Sequence, residues 1–325
     1  MKRVLIHLHA PTVQGARAWA SYAEMLLASA LMAPALSAHG GRTRRQRKAA
    51  RAIGPDTPAS QLPPEVLSAT IDSALALPTR RLDVDETGPP GRPVTLVALS
   101  DTHGFEQSLG SALPAGDVLI HCGDFHPGPH WPGGENVGEE EAQRRFDGWL
   151  ASQPHPIKIV VRGNHDPIRA TFPLSGALYA TSPQPLELAL PNGATLRLAL
   201  VPFFRTKSTR QRSRHKRFTL PLESLSSCDV LVSHVPPRGV LDSCYDGALG
   251  GCATLRTAVE SSPHKPRLWL CGHIHESRGA VRHRFGGLPD ATVVVNAASA
   301  NSGVARKLLH GATVVTLNAG SSEVS

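Results

Sequence analysis

The chain has 325 residues, a hydrophobic share of 41% and a formal net charge of +8, enough for one large α/β domain with an extension or for two small domains. All of that charge sits within positions 1–55, where nine Lys and Arg residues face the single acid Glu24, so the neutral remainder gives no ground for a nucleic-acid partner. Five cysteines without a C-x-x-C pair exclude a disulfide framework and a thiolate-held structural zinc, and reduced thiols in an intracellular compartment are the default expectation.

Residues 1–54 are rich in Arg and Ala and nearly free of acids. Three readings stand: an organellar transit peptide, a signal peptide with Met25–Leu36 as its apolar region, or an unstructured leader without an address. The location is cytoplasmic by default and organellar if 1–54 is a transit peptide. The apolar stretch Ala23–Ala38 is too short and too polar to span a membrane. Residues 39–92 look like a linker, with a basic run at Arg42–Arg51, several prolines and one candidate helix around Pro64–Leu77. Ordered structure is expected near Pro93, dividing the chain into an extension, 1–92, and a domain, 93–320.

From Pro93 onward, short apolar runs alternate with helical or loop segments. Val94–Leu99, Val118–His121, Ile157–Val161, Val230–Ser233, Leu268–Leu270 and Val293–Val295 read as buried strands. Glu139–Leu150 carries a helical pattern, acidic at its start and apolar at Phe146, Trp149 and Leu150. Pro191-Asn192-Gly193 between Leu186–Leu190 and Ala194–Val201 is a hairpin signal, and Gly311–Leu317 fits a last strand. The pattern predicts stacked sheets with helices outside, a layered α/β domain.

The strand ends carry the chemistry. Val94–Leu99 runs into Ser100-Asp101-Thr102-His103, and Val118–His121 into Cys122-Gly123-Asp124. Ile157–Val161 runs into Arg162-Gly163-Asn164-His165-Asp166, Val230–Ser233 into His234, and Leu268–Cys271 into Gly272-His273-Ile274-His275. Ligands bind at this edge of open α/β sheets. Each residue alone has an ordinary reading, as a core histidine, a helix cap or a turn residue; the coincidence of five blocks argues against it. Carboxylates, imidazoles and an amide suit first-row divalent cations such as Mn, Fe, Zn or Ni. Asp101, His103, Asp124, Asn164, His234, His273 and His275 exceed the needs of one four-coordinate ion, and with a bridging carboxylate they serve two. The other histidines, His121 and His126 among them, receive no role.

In order, these blocks read D-x-H, G-D, G-N-H-D, a lone His and G-H-x-H over residues 99–275. The chain thereby resembles the calcineurin-like metallophosphoesterase superfamily. That resemblance implies a layered β-sandwich flanked by helices, preceded here by a non-homologous extension. It implies that Asp101, His103 and His275 hold one metal, that Asp124 bridges, and that Asn164, His234 and His273 complete the second. It further implies that His165 faces the scissile phosphate with Asp166 orienting it, and that a hydroxide held between the cations attacks phosphorus in line.

The flanking words narrow the likeness. Ser100–Gly104, Gly116–Phe125, Ser233–Gly239, Cys271–Gly279 and Asn296–Ser299 are similar to metallophosphoesterase-domain-containing proteins, over roughly residues 93–300. That branch implies a manganese-supported phosphodiesterase acting on a small anionic phosphoester of cyclic-nucleotide type. A phosphomonoesterase, a protein phosphatase and a non-catalytic scaffold remain alternatives. The sequence departs from the branch after Val201-Pro202-Phe203-Phe204, in a basic stretch over 205–217 that fits either an anion-attracting loop or a solvated one.

Overall fold

The computed structural model describes residues 77–84, 91–110, 112–128, 137–204, 225, 227–287, 290–300 and 307–321, together with the backbone at 6–7, 65–66 and 70–72. Apart from Ile6–His7, whose backbone pairs antiparallel with Glu187 and Leu188, the expected leader lies outside the described residues, as do the run Arg42–Arg51 and the basic stretch 205–217.

Two sheets form the body. The first contains β1 (Thr79–Asp83), β2 (Arg92–Leu99), β3 (Val118–His121), β4 (Ile157–Val161) and β5 (Leu178–Ala180). The second contains β6 (Gln184–Ala189), β7 (Ala194–Val201), β8 (Val230–Ser233), β9 (Leu268–Cys271), β10 (Gly279–His283) and β11 (Thr292–Asn296). The last strand, β12 (Thr313–Ser321), inserts between β1 and β2 and touches β7 at Ala194–Ser321, where the sheets meet. Strands β2 to β5 run parallel, as do β7, β8, β9 and β11, while β6 and β10 are antiparallel partners of β7 and β11.

The sheets pack face to face. Leu96, Ile120 and Ile159 of the first share a buried core with Leu198, Val232, Leu270 and Val295 of the second. The alternate residues Val97, Leu119 and Val160 face the other way, against Phe146, Trp149 and Leu150 of α1 (Glu139–Ser152). On the far side Leu231, Trp269 and Val294 pack against Leu255 and Val259 of α2 (Ala253–Ser261). The layers are helix, sheet, sheet, helix. Both faces of each central strand are covered, which is why the sequence shows continuous apolar runs rather than alternation. Each fully buried Leu or Ile contributes about 1.5–3 kcal/mol.

The expected strands and the helix at 139 are present, and the hairpin closes through Gly193 N to Leu190 O, with Gly193 at φ 79°. Within the candidate helix at 64–77, the described residues 65–66 and 70–72 are extended instead. Glu65–Val66 pairs with β10 and Thr70–Asp72 with β1, because the open edges of both sheets offer backbone partners that outweigh a weak helical pattern. Regular structure also begins ahead of Pro93, since Leu82 and Val84 enter the core between the sheets. Helix α2, β5 and β10 were not marked in the sequence; α2 opens on Cys252, whose Sγ accepts from Leu255 N at 3.4 Å, an unusual cap. All five cysteines are free thiols. No described helix is long and apolar enough to cross a membrane.

Candidate metal centre

The carboxyl ends of β2, β3, β4, β8 and β9 deliver the five motif blocks to one edge of the sandwich, tied across the sheets by a parallel bridge between Ser100 and Ala298. Sharp turns then aim the side chains inward. Among the described residues, positive φ outside glycine occurs at Asp101 (56°), His103 (49°), Asp124 (60°), His273 (69°) and Leu241 (52°). Four of the five are candidate ligands, so backbone strain on the order of 1 kcal/mol or more per residue is concentrated where function needs it. Two glycines make room. A Cβ at Gly163 would collide with the Asp124 carboxylate and amide, and one at Gly272 with Ser100 Oγ and Asp101 Oδ2.

The ligand candidates form two groups, Asp101 with His103 and His275, and Asp124 with His234 and His273. Within each, one donor atom per residue lies within 4.8 Å of the others. In the first group His275 Nε2 stands 3.3 Å from Asp101 Oδ1 and 3.4 Å from His103 Nε2. In the second His234 Nε2 stands 3.5 Å from Asp124 Oδ2 and 2.9 Å from Asn164 Oδ1, which brings the amide into the set. His234 Nδ1 lies 2.8 Å from Cys122 O, which orients the ring and leaves Nε2 for the site.

His165 neighbours one member of each group with its ring. Its ring centroid is 5.3 Å from that of His103, its Nε2 is 3.9 Å from Asp124 Oδ2, and its amide donates to Asp124 Oδ1 at 2.8 Å. Its side chain is 30% exposed, against 0% for His234. Asp166 has a different set of partners from the one implied by the resemblance. Its carboxylate accepts from the amides of Asp124 (2.7 Å), Gly163 (2.8 Å) and His126 (3.0 Å), with no hydrogen bond to the His165 ring. The turns after β3 and β4 point these amides inward, and a buried amide takes the nearest carboxylate. Asp166 thus clamps the turn after β3 to the turn after β4.

The electrostatics suit cations. Burial lowers His103 and His273 to about 4, leaving both rings neutral with lone pairs available. Burial works against ionised Asp101 and Asp124, but His275 beside the first and His234 beside the second outweigh it and hold both below the usual carboxylate range. Two carboxylates, four imidazoles and an amide oxygen fit a pair of divalent first-row cations.

A supporting layer escaped the sequence reading. Gly123 N donates to His121 Nδ1 (3.2 Å), His121 Nε2 lies 3.0 Å from Thr102 Oγ1, and Thr102 Oγ1 donates to Glu106 Oε1 (2.6 Å). The relay makes His121 the Nε2–H tautomer and joins the Asp101–His103 turn to the Asp124 turn. Asn296 Nδ2 donates to Ile274 O at 2.8 Å and so holds the His273–His275 turn. Phe203 packs its ring 6.0 Å from His234 and 5.9 Å from His273, centroid to centroid, as an apolar wall. The one advance signal was position: His121 ends β3, and Asn296 ends β11.

A family model for the calcineurin-like phosphoesterase domain matches residues 94–277, a span that takes in every candidate ligand. The chain is 30% identical over 213 residues to a UPF0046 protein of Caenorhabditis elegans, covering 57% of this chain and 70% of that protein. It is 29% identical over 227 residues to metallophosphoesterase domain-containing protein 1 of Homo sapiens, covering 61% of this chain and 65% of that protein. A match at 31% identity to a probable rhamnogalacturonate lyase C of Emericella nidulans covers 57% of this chain but 17% of that much longer protein. The chain therefore spans less than two thirds of the last two relatives.

Proposed function

Because this chain belongs to the calcineurin-like phosphoesterase family, we propose that it hydrolyses a small phosphodiester of cyclic-nucleotide type at the paired donor groups. The observation carrying this reading is that two three-residue groups, Asp101/His103/His275 and Asp124/His234/His273, stand with a member of each, His103 and Asp124, next to the His165 ring. Two divalent cations, with manganese favoured in vitro, supply the charge that polarises a phosphoryl group and acidifies water when bound.

The chain's own residues do the rest. Asp101, His103 and His275 would hold one cation, Asn164, His234 and His273 the other, and Asp124 would lend its carboxylate to the pair. His165, whose side chain is 30% exposed against 16% for His275 and 0% for His234, donates a proton or hydrogen bond to the departing oxygen as its charge grows. Asp166 fixes the backbone that carries His165 and Asp124, and Phe203 shields the rings behind it from water.

A diester is favoured over a monoester by the state of Arg162. Its Nε donates to Asp166 O and its Nη1 to Phe203 O, at 3.1 and 3.2 Å, which commits part of its fork to the backbone and disfavours bidentate clamping of a phosphate dianion.

The test is turnover of a bis-aryl phosphate and an aryl monophosphate by the full chain with manganese, alongside Asp124→Asn. Metal-dependent diester hydrolysis lost in Asp124→Asn is expected. Preferential monoester turnover would replace the diester reading, and a folded protein that binds no divalent cation would sink the proposal.

A further inference from the structure

The His165 ring lacks the carboxylate partner that the resemblance implied, but its position is defined by another neighbour. A Cβ added to Gly128 would stand 2.6 Å from His165 Nδ1, 3.3 Å from Cε1 and 3.5 Å from Cγ. The Nδ1 edge of the ring therefore lies against the Gly128 backbone. Its Nε2 faces Asp124 Oδ2 at 3.9 Å, and the His103 ring flanks it at 5.3 Å between centroids. Gly128 is buried and has φ 64°, in the left-handed region that glycine alone enters at little cost. Both the backbone conformation and the contact with the ring require the missing side chain.

The turn that carries Gly128 is braced from several directions. His126 N donates to Asp166 Oδ1 at 3.0 Å, His103 Nδ1 donates to His126 O at 3.2 Å, and Gly128 N donates to His126 Nδ1 at 3.0 Å. The last contact closes residues 126–128 in the manner of an Asx-turn, with a ring nitrogen in place of the usual side-chain oxygen. Among the described residues His126 Nε2 has no partner, so holding Gly128 is the one polar contact of that ring. Pro127 is packed by Gly104, where a Cβ would lie 3.5 Å from the proline ring. Asp166 thus acts on the His165 ring at one remove, through the amide of His126.

We propose that Gly128 is a positioning residue for His165: its bare backbone seats the Nδ1 edge of the ring and, together with Asp124 and His103, presents Nε2 to the reacting phosphoryl group. The inference rests on the role given to His165 above. A ring seated by packing along its Nδ1 edge needs no carboxylate partner, which accounts for an Asp166 whose oxygens are taken by amides. Misplacing a reacting group by about 1 Å costs about 10²-fold in rate. A methyl group at position 128 therefore acts on the chemical step through His165 and not on the hold on substrate.

The experiment compares Gly128→Ala with Gly176→Ala in the full chain. Gly176 has φ 67° but is exposed, with open space around an added carbon, so the two variants share backbone strain and differ in the ring contact. With manganese and a series of bis-aryl phosphates, Gly128→Ala is expected to lower kcat about 10–10²-fold, most for the poorest leaving groups, with KM within about twofold and both ions retained. Gly176→Ala should change none of these. Added to His165→Ala, Gly128→Ala should cause no further loss. Long-range proton–nitrogen spectra of the zinc-loaded protein read the ring without any substrate. The His165 signals, assigned by their absence in His165→Ala, should move in Gly128→Ala and stay in place in Gly176→Ala. A second pair covers the case in which Gly128→Ala does not fold: His126→Ala removes the acceptor of Gly128 N and should move the same signals and lower kcat, whereas His126→Asn, whose Oδ1 can replace that acceptor, should restore both. His165 signals unmoved in the folded variant, loss of an ion, or a rate loss that persists undiminished in the His165→Ala background overturns the proposal. A wild type that turns over no diester overturns the function proposed above, and the spectra still decide this one.

Discussion

The backbone amide of His273 donates to Asp101 Oδ2 at 2.8 Å, so a residue of one donor group holds the carboxylate of the other. The second oxygen of Asp101 faces His275 Nε2 at 3.3 Å. One carboxylate therefore holds the His273 backbone and faces the His275 imidazole, and the two groups are mechanically joined.

Asp101→Asn should consequently lower cation content at both groups, not at one. Atomic-emission analysis of dialysed protein is expected to fall from two ions per chain to one or fewer, with hydrolysis reduced by about 10²-fold or more. Retention of two ions with unchanged turnover would contradict the coupling.

Gly163→Ala should be among the costliest single methyl additions in the chain, because its Cβ has no place beside Asp124. A loss of about 1–3 kcal/mol and of hydrolysis is expected. Gly148→Ala makes the control: it lies exposed in α1 with open space around it and should gain about 0.5–1 kcal/mol. Denaturant unfolding of both variants checks the contrast in sign.

His165→Ala tests the division between holding cations and donating to the leaving oxygen. Turnover is expected to fall about 10²–10⁴-fold with both ions retained. The loss should shrink for substrates with acidic leaving groups, which need little protonation. Equal losses across leaving groups would assign His165 to binding.

Asp166→Ala separates a clamp from an orienting acid. Three buried amides lose their acceptor, so destabilisation by about 2 kcal/mol or more is expected. A variant as stable as wild type but with the His165→Ala rate profile would restore the orienting role.

Glu106 gives a pH signature. Burial raises it from 4.5 to about 7, against the hydrogen bond from Thr102. The folded protein therefore keeps a proton that the unfolded chain releases near pH 4.5. The stability from this group is fully present below that value and is lost as pH rises through 7, on the order of 3 kcal/mol in all. Glu106→Gln removes the titration. The thermal transition of wild type should fall relative to the variant between pH 5 and 8, whereas a constant offset would show that Glu106 does not titrate there.

The strands that carry the site were legible because each is short, apolar and ends in polar residues; β3, β4 and β8 match their expected bounds residue for residue. The segment 64–77 was misread because its conformation is set by open sheet edges far along the chain. Helix α2 went unmarked because Cys252 gives no ordinary start signal. Glu106 and His121 looked like any acid and any histidine, and only burial in one relay distinguishes them.

The sequence by itself determined which residue types stand at the strand ends, since apolar run length and the polar residue that follows are local properties. Through a resemblance it also implied how those residues divide between two cations. Tertiary structure alone decided what touches what: His275 reaches Asp101 across 174 residues, and Asp166 takes the amides of Asp124 and His126 in place of the His165 ring. The reason is physical. Burying both faces of two sheets fixes which strand ends become neighbours, and contacts between residues so distant in the chain form only once that core is packed.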